Sequence, residues 1–253
     1  MVYIQLGWKE IEYMQNETKQ NLVMIPGLNN STIIFDGVKK HLSPSINSVA
    51  VDVPALEDVE SIADQLLKEL PADFHLLGYS FGGYIALAIL DKAPERVKSL
   101  ALVSSVANAD NDKMKQVREA AIQRVEAGEY EEMVRASASK GVHPDHVDRQ
   151  DITEIREQMM QEYGADRYRA HLRATASRPD RAELLSTIDY PVLIVGSPND
   201  QVVPFERQQN MVEHLQHPIV KEIEDAGHLI PLEQPEKLAN LLETYITREI
   251  VTV

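Results

Sequence analysis

The sequence contains no cysteine. Disulfides, thiol nucleophiles and Cys-based metal sites are therefore excluded, and the chain suits a reducing compartment. No run approaches the roughly 20 apolar residues that a bilayer span requires. Met1 to Glu10 lacks a basic segment followed by an apolar stretch, so no secretory leader is visible and a cytoplasmic location is expected. Positive charge is also scarce. Lys and Arg number 25 against 40 Asp and Glu, a net charge of −15. Such a surface repels phosphate backbones and anionic headgroups, so neither nucleic-acid nor membrane partners are expected. The acidity is read as serving solubility. There is no internal repeat and no low-complexity tract.

What is present is alternation. The 253 residues suit one large domain. Val2–Leu6 and Trp8–Tyr13 read as two strands, an antiparallel pair around Gly7. Strands are predicted at Asn21–Ile25, Ile46–Val53, Phe74–Gly78, Val97–Val103, Pro191–Val195 and Ile219–Ile223. Between them lie helical patterns at Ser31–Leu42, Asp58–Leu70, Gly82–Ala93, Phe205–Leu215 and Pro235–Arg248. Ser31 or Thr32 is the expected cap of the first. Strands alternating with helices imply an α/β fold, a mostly parallel sheet covered by helices on both faces. The alternation breaks over residues 110–185, which are helical in pattern and polar. The chain thus divides into a core of 1–109 and 186–253 and an inserted helical cap of 110–185. Inserted after the Val97–Val103 strand, the cap is placed above the C-terminal edge of the sheet, where open α/β sheets bind ligands.

Gly78-Tyr79-Ser80-Phe81-Gly82 stands between the strand Phe74–Leu77 and the helix that begins near Gly82. A strand turning sharply into a helix strains the backbone of the central serine and raises its hydroxyl above the sheet. Residues two before and two after must be small, because the chain passes close to itself. Gly78 and Gly82 meet that need, and Gly83 lets the helix approach its neighbour. Ser80 is therefore the candidate nucleophile, with the Phe81 N–H and the helix N-terminus placed to bind an oxyanion.

A serine needs a base. Of eight histidines, His228 in Asp225-Ala226-Gly227-His228 directly follows a strand and lies at the sheet edge that carries Ser80. His75 lies within a strand and reads as a core residue. His143 and His146 have the i, i+3 spacing of metal ligands, but no acidic-plus-His constellation accompanies them, and no metal is expected. The base needs an acid. Asp200 follows the strand Pro191–Val195, whereas Asp225 shares the loop of His228. The turn after Val103 offers only Ser104, Ser105 and Asn108. Asp200 is preferred, giving the order Ser, Asp, His. The second oxyanion donor is assigned to the Leu28 N–H, in the turn Pro26-Gly27-Leu28.

These segments together resemble the α/β-hydrolase fold family, and within it the bacterial pimeloyl-carrier-protein methyl ester esterases. The resemblance is carried by Pro26-Gly27-Leu28, Gly78–Gly83, Ala93-Pro94-Glu95-Arg96-Val97, Pro191–Gly196, Asp200–Pro204, Gly227-His228 and Glu233-Gln234-Pro235-Glu236. It departs at Pro26, where the family usually has His, and at Asp52–Asp58, which lacks the usual glycines. Both departures alter the acyl side and the entrance of the pocket. The resemblance implies a serine hydrolase that cleaves a small carboxylic ester through an acyl-enzyme on Ser80, without a cofactor, as a monomer or homodimer. Leu28, Tyr79, Phe81 and Val202 are the expected substrate-binding residues. The same triad also suits C–C bond hydrolysis or a cofactor-free lyase reaction. A ligand-sensing signalling protein with slow turnover is the non-enzymatic alternative.

The cap holds Met114, Met133, Met159 and Met160, read as packing residues that also suit an adaptable apolar pocket. Its Arg167, Arg169, Arg173, Arg178 and Arg181 suit an anionic substrate or carrier protein. Glu162, Asp166, Asp180 and Glu183 beside them favour a solvated, salt-bridged face instead.

Overall fold

Among the described residues, six strands lie side by side in the order β2–β1–β3–β4–β5–β6, every neighbouring pair parallel. They are β1 (Gln20–Ile25), β2 (Ile46–Ala50), β3 (Phe74–Tyr79), β4 (Val97–Val103), β5 (Val192–Gly196) and β6 (Pro218–Glu222). The structure is a computed structural model and describes residues 19–247. The strands expected at Val2–Leu6 and Trp8–Tyr13 lie outside the described residues.

Side chains alternate across each strand, and the core divides accordingly. Val23, Ile25, Leu76, Leu100, Leu102 and Ile194 face one side. There they pack on α2 (Val59–Leu66) and α3 (Phe81–Lys92). Leu22, Met24, Leu77, Ala101, Val103 and Leu193 face the other. They meet Val38 of α1 (Asp36–His41) and Leu238 and Leu242 of α9 (Pro235–Ile246). Strands buried on both faces need apolar residues at every position, which is why Leu100–Val103 of β4 form a continuous apolar run after the exposed Lys98. Asp58 caps α2 by accepting the Ser61 N–H at 2.7 Å.

Some boundaries differ from expectation. Ser31 and Thr32 open a short 3-10 turn (Thr32–Phe35) before α1, and the Ser31 hydroxyl does not cap it. It donates instead to Glu162 at 2.8 Å. The 205–215 helix divides into α7 (Phe205–Gln209) and a 3-10 turn (Asn210–His214). β2 ends at Ala50, and Asp52 beyond it pairs with Arg167 at 2.7 Å.

Between β4 and β5 run α4 (Asp112–Glu126), α5 (Tyr130–Ala136) and α6 (Gln150–Ser177). α6 is interrupted at Gly164, whose φ of 75° only glycine adopts cheaply. These helices sit over the C-terminal ends of the strands. The Tyr130 hydroxyl donates to Asn29 at 2.6 Å in the loop after β1. His171 donates to the Pro54 carbonyl at 2.8 Å in the loop after β2. Of the five clustered arginines, Arg167, Arg173 and Arg181 pair with core carboxylates, while Arg169 pairs with its sequence neighbour Asp166. Arg173 reaches Glu57 at 2.5 Å, and Arg181 pairs with Glu60 and Asp91. The buried Arg178 pairs with the buried Asp110 at 2.7 Å. The salt bridges expected of this face are present at Arg167, Arg169 and Arg173, whereas the side chains of Arg178 and Arg181 are buried. Met159 and Met160 are buried, as packing residues should be.

Candidate active site

Ser80 stands between β3 and α3 with φ 52° and ψ −117°. This conformation costs a β-carbon-bearing residue about 1–3 kcal/mol and persists only where the surroundings enforce it. The surroundings here are specific. The Ser80 N–H donates to the Val103 carbonyl at 2.9 Å. The Ser80 carbonyl accepts from the Gly83 N–H at 2.9 Å and from the Ser105 hydroxyl at 2.8 Å. A Cβ placed on Gly78 would lie 2.5 Å from the Gly83 Cα, and one on Gly82 would lie 2.1 Å from the Ile25 carbonyl oxygen. Neither position admits a side chain, which is the physical content of the two flanking glycines.

The Ser80 hydroxyl lies 2.9 Å from His228 Nε2, and His228 Nδ1 lies 2.8 Å from Asp200 Oδ2. Asp200 and His228 are both buried. With Nδ1–H donating to the carboxylate, Nε2 is left as the acceptor for the serine proton. The other oxygen of Asp200 accepts the N–H groups of Val202 at 2.9 Å and Val203 at 2.8 Å. The carboxylate is thereby fixed in orientation by its own turn after β5.

The backbone that carries His228 is held residue by residue. The buried Ser197 hydroxyl donates to the Ala226 carbonyl. Glu233 accepts the Gly227 N–H at 2.7 Å. The Tyr79 hydroxyl donates to the His228 carbonyl at 3.0 Å. Burial, with the charges of Asp200 and Glu233, pushes the Tyr79 phenol well above its usual value, so it remains a donor.

The expected substrate-binding residues separate. Tyr79 is fully buried and packs edge-on to Phe35 at 6.4 Å. It supports the His228 loop from below and does not face an opening as the sequence reading expected. Val202 is exposed two residues beyond Asp200. Leu28 is half-buried in the loop after β1 and packs on both the core and the helical segment. Phe81 opens α3, and its ring lies 4.9 Å from that of His171. The first N–H groups of a helix have no intrahelical acceptor, and Phe81 is the first residue of α3. Gly27 packs within 3.2 Å of the Ser80 side chain, measured from a Cβ placed on it. His143 and His146 are not brought into a metal-binding cluster, and no group of three or more such ligands occurs among the described residues.

Sequence reasoning missed Ser197 and the roles of Ser105 and Glu233. Each acts through contacts with residues distant in sequence, and only Glu233 fell within a noted motif.

Comparison with known proteins agrees with the fold. The profile of the Alpha/beta hydrolase family matches residues 22–241. A pimeloyl-[acyl-carrier protein] methyl ester esterase of Nitrosomonas europaea is 32% identical over 93 residues, 34% of this chain and 37% of that protein. The protein of the same name from Neisseria meningitidis serogroup C is 24% identical over 252 residues, 94% of this chain and 97% of that one. A thermophilic esterase from Thermogutta terrifontis superposes with a TM-score of 0.84 at 22% identity, covering 90% and 89% of the two chains. With the parallel sheet, the strained serine at its edge and a match that runs from β1 into α9, the chain belongs to the alpha/beta hydrolase family.

Proposed function

We propose that the protein is a serine esterase that hydrolyses small carboxylic esters through an acyl-enzyme on Ser80. The observation that carries this reading is the unbroken line Ser80 Oγ, His228 Nε2, His228 Nδ1 and Asp200 Oδ2, with hydrogen bonds of 2.9 and 2.8 Å. His228 takes the serine proton as Oγ attacks the ester carbonyl, then gives it to the departing alcohol. A water attacking the acyl-enzyme repeats the two transfers and restores Ser80. Asp200 keeps the imidazole in the tautomer that presents Nε2 to Ser80 and stabilises the imidazolium. The N–H groups of Phe81 and Leu28 hold the oxyanion, and Leu28, Phe81 and Val202 border the substrate. Relatives named as methyl ester esterases and an esterase neighbour support ester over other acyl substrates.

Residues 110–185 act as a lid in this reading. Their contacts reach the loops after β1 and β2 and the loop of His228. A cover at that edge excludes water from the developing oxyanion.

Turnover of p-nitrophenyl acetate and of an unactivated methyl ester tests the mechanism. Ser80→Ala and His228→Gln should each lower kcat by ~10³-fold or more on both. Wild-type rates in Ser80→Ala would contradict it.

A further inference from the structure

Glu233 ends the short helix α8 (Ile230–Glu233) with a carboxylate that is fully buried. Burying a charge costs several kcal/mol unless its lone pairs are met. The donors that meet them come from two parts of the molecule. One is the Gly227 N–H, at 2.7 Å from Oε2, in the residue that precedes His228. The others belong to the helical segment between β4 and β5: the His143 N–H at 2.7 Å and His146 Nδ1 at 2.8 Å, both to Oε1.

The backbones of the two parts are joined at the same place. The Leu229 N–H donates to the Gly141 carbonyl at 3.0 Å. A Cβ placed on Gly227 would stand 2.5 Å from the carbonyl carbon of Val142 and 2.7 Å from the His143 nitrogen. The segment therefore lies flush on the loop that carries His228. Arg149 and Arg156 of the same segment lie within range of the Glu233 charge without forming an ion pair with it.

Glu233 is also outside the proton path, since among the described residues its side-chain hydrogen bonds go only to Gly227, His143 and His146. If the segment lifts, the carboxylate keeps one hydrogen bond of three and enters water. Its hold on the Gly227 N–H then competes with solvent, and the placement of His228 loosens.

We propose that Glu233 is a positioning residue that couples seating of the helical segment 141–146 to the placement of His228, so that the Ser80–His228–Asp200 line is assembled when the lid is seated. This rests on the reading of His228 as the base.

The test compares wild type, Glu233→Gln, His146→Ala and the double variant. Each is followed by steady-state kinetics on p-nitrophenyl acetate, thermal melting, and proton NMR of the His228 Nδ1–H signal, assigned by its loss in His228→Gln. His146 is near the surface, so its variant is expected to fold. A misplaced base lowers kcat with little change in KM, by ~10-fold for His146→Ala and ~10- to 100-fold for Glu233→Gln. The double variant should be no slower than Glu233→Gln alone, because both residues act through one carboxylate. The His228 signal should shift or broaden in each variant. The proposal is overturned by a wild-type kcat and an unmoved His228 signal in His146→Ala, by a rise in KM alone, or by additive losses in the double variant. If Glu233→Gln does not fold, His146→Ala decides by the same two readouts. If the wild type turns over no ester, the NMR signal still decides, and it is the esterase reading that has failed.

Discussion

The Tyr79 hydroxyl donates to the main-chain carbonyl of His228 at 3.0 Å, so the residue before Ser80 props the loop that carries His228. Ser80 and His228 are thus positioned against each other from inside the core, and their separation does not depend on surface loops alone. Tyr79→Phe removes the donor and leaves a buried carbonyl unmatched, which costs about 1–3 kcal/mol. Urea unfolding should show that loss, together with a lower kcat. An unchanged midpoint would mean that the carbonyl finds another donor.

Gly82→Ala should be among the more damaging single substitutions. The new methyl would press on the Ile25 and Pro26 carbonyls, at 2.1 and 2.7 Å, and these are backbone atoms at the base of the Leu28 turn. Overpacking of this kind costs typically 1–3 kcal/mol and shifts backbone. Both unfolding midpoint and kcat should fall. Wild-type kcat in a folded variant would show that the Leu28 turn does not help to bind the oxyanion.

Acid should destabilise the fold through His171. This ring is buried against Phe81, donates from Nε2 to the Pro54 carbonyl and accepts from the Tyr163 hydroxyl at Nδ1. Desolvation lowers it to about 4, and Arg167 adds to the shift while the Pro54 carbonyl and Asp52 oppose it. The unfolded chain binds this proton near pH 6.5 and the folded chain only near 4. Stability is therefore full above about pH 6.5 and falls as pH drops toward 4, by on the order of 2 kcal/mol for this group. His75, also lowered to about 4, acts in the same direction. Urea midpoints at pH 7 and 4.5 should lie closer together in His171→Gln than in wild type. An equal gap in both would remove His171 from the acid response.

Asp200→Asn keeps the shape of the turn after β5 but not the charge beside His228. The Val202 and Val203 N–H groups still hold one oxygen, while the amide donates toward Nδ1 and favours the wrong tautomer. A loss of ~10⁴-fold in kcat is expected, with a melting temperature close to wild type. A small loss would point to another residue as the partner of His228.

Much of this was legible in the sequence because it depends on neighbours in the chain. The short apolar runs of β1, β3, β4 and β5 and the Gly78-x-Ser80-x-Gly82 turn are local, and so is the position of His228 just after a strand. Asp200 emerged because the turn after Val103 offered no acid. What was not legible depends on distant pairs. The direction of Tyr79 is set by which face of β3 meets Phe35 and the His228 loop. The Glu233 contacts join residues 87 and 90 positions apart. The insert's arginines were read against their sequence neighbours, and the structure turns most of them toward carboxylates 90 or more positions away, as with Arg181 and Asp91. The break in α6 at Gly164 was hidden because a single glycine inside a helical pattern is usually tolerated.

Covalent labelling is the decisive test of Ser80 as the nucleophile. A fluorophosphonate reacts at phosphorus with a serine whose proton has been taken by an adjacent base, so the label records both nucleophile and base. Peptide mapping by mass spectrometry should place one adduct on Ser80, and labelling should be absent in Ser80→Ala and strongly slowed in His228→Gln. An adduct on any other residue, or an unlabelled folded protein, would remove Ser80 as the nucleophile.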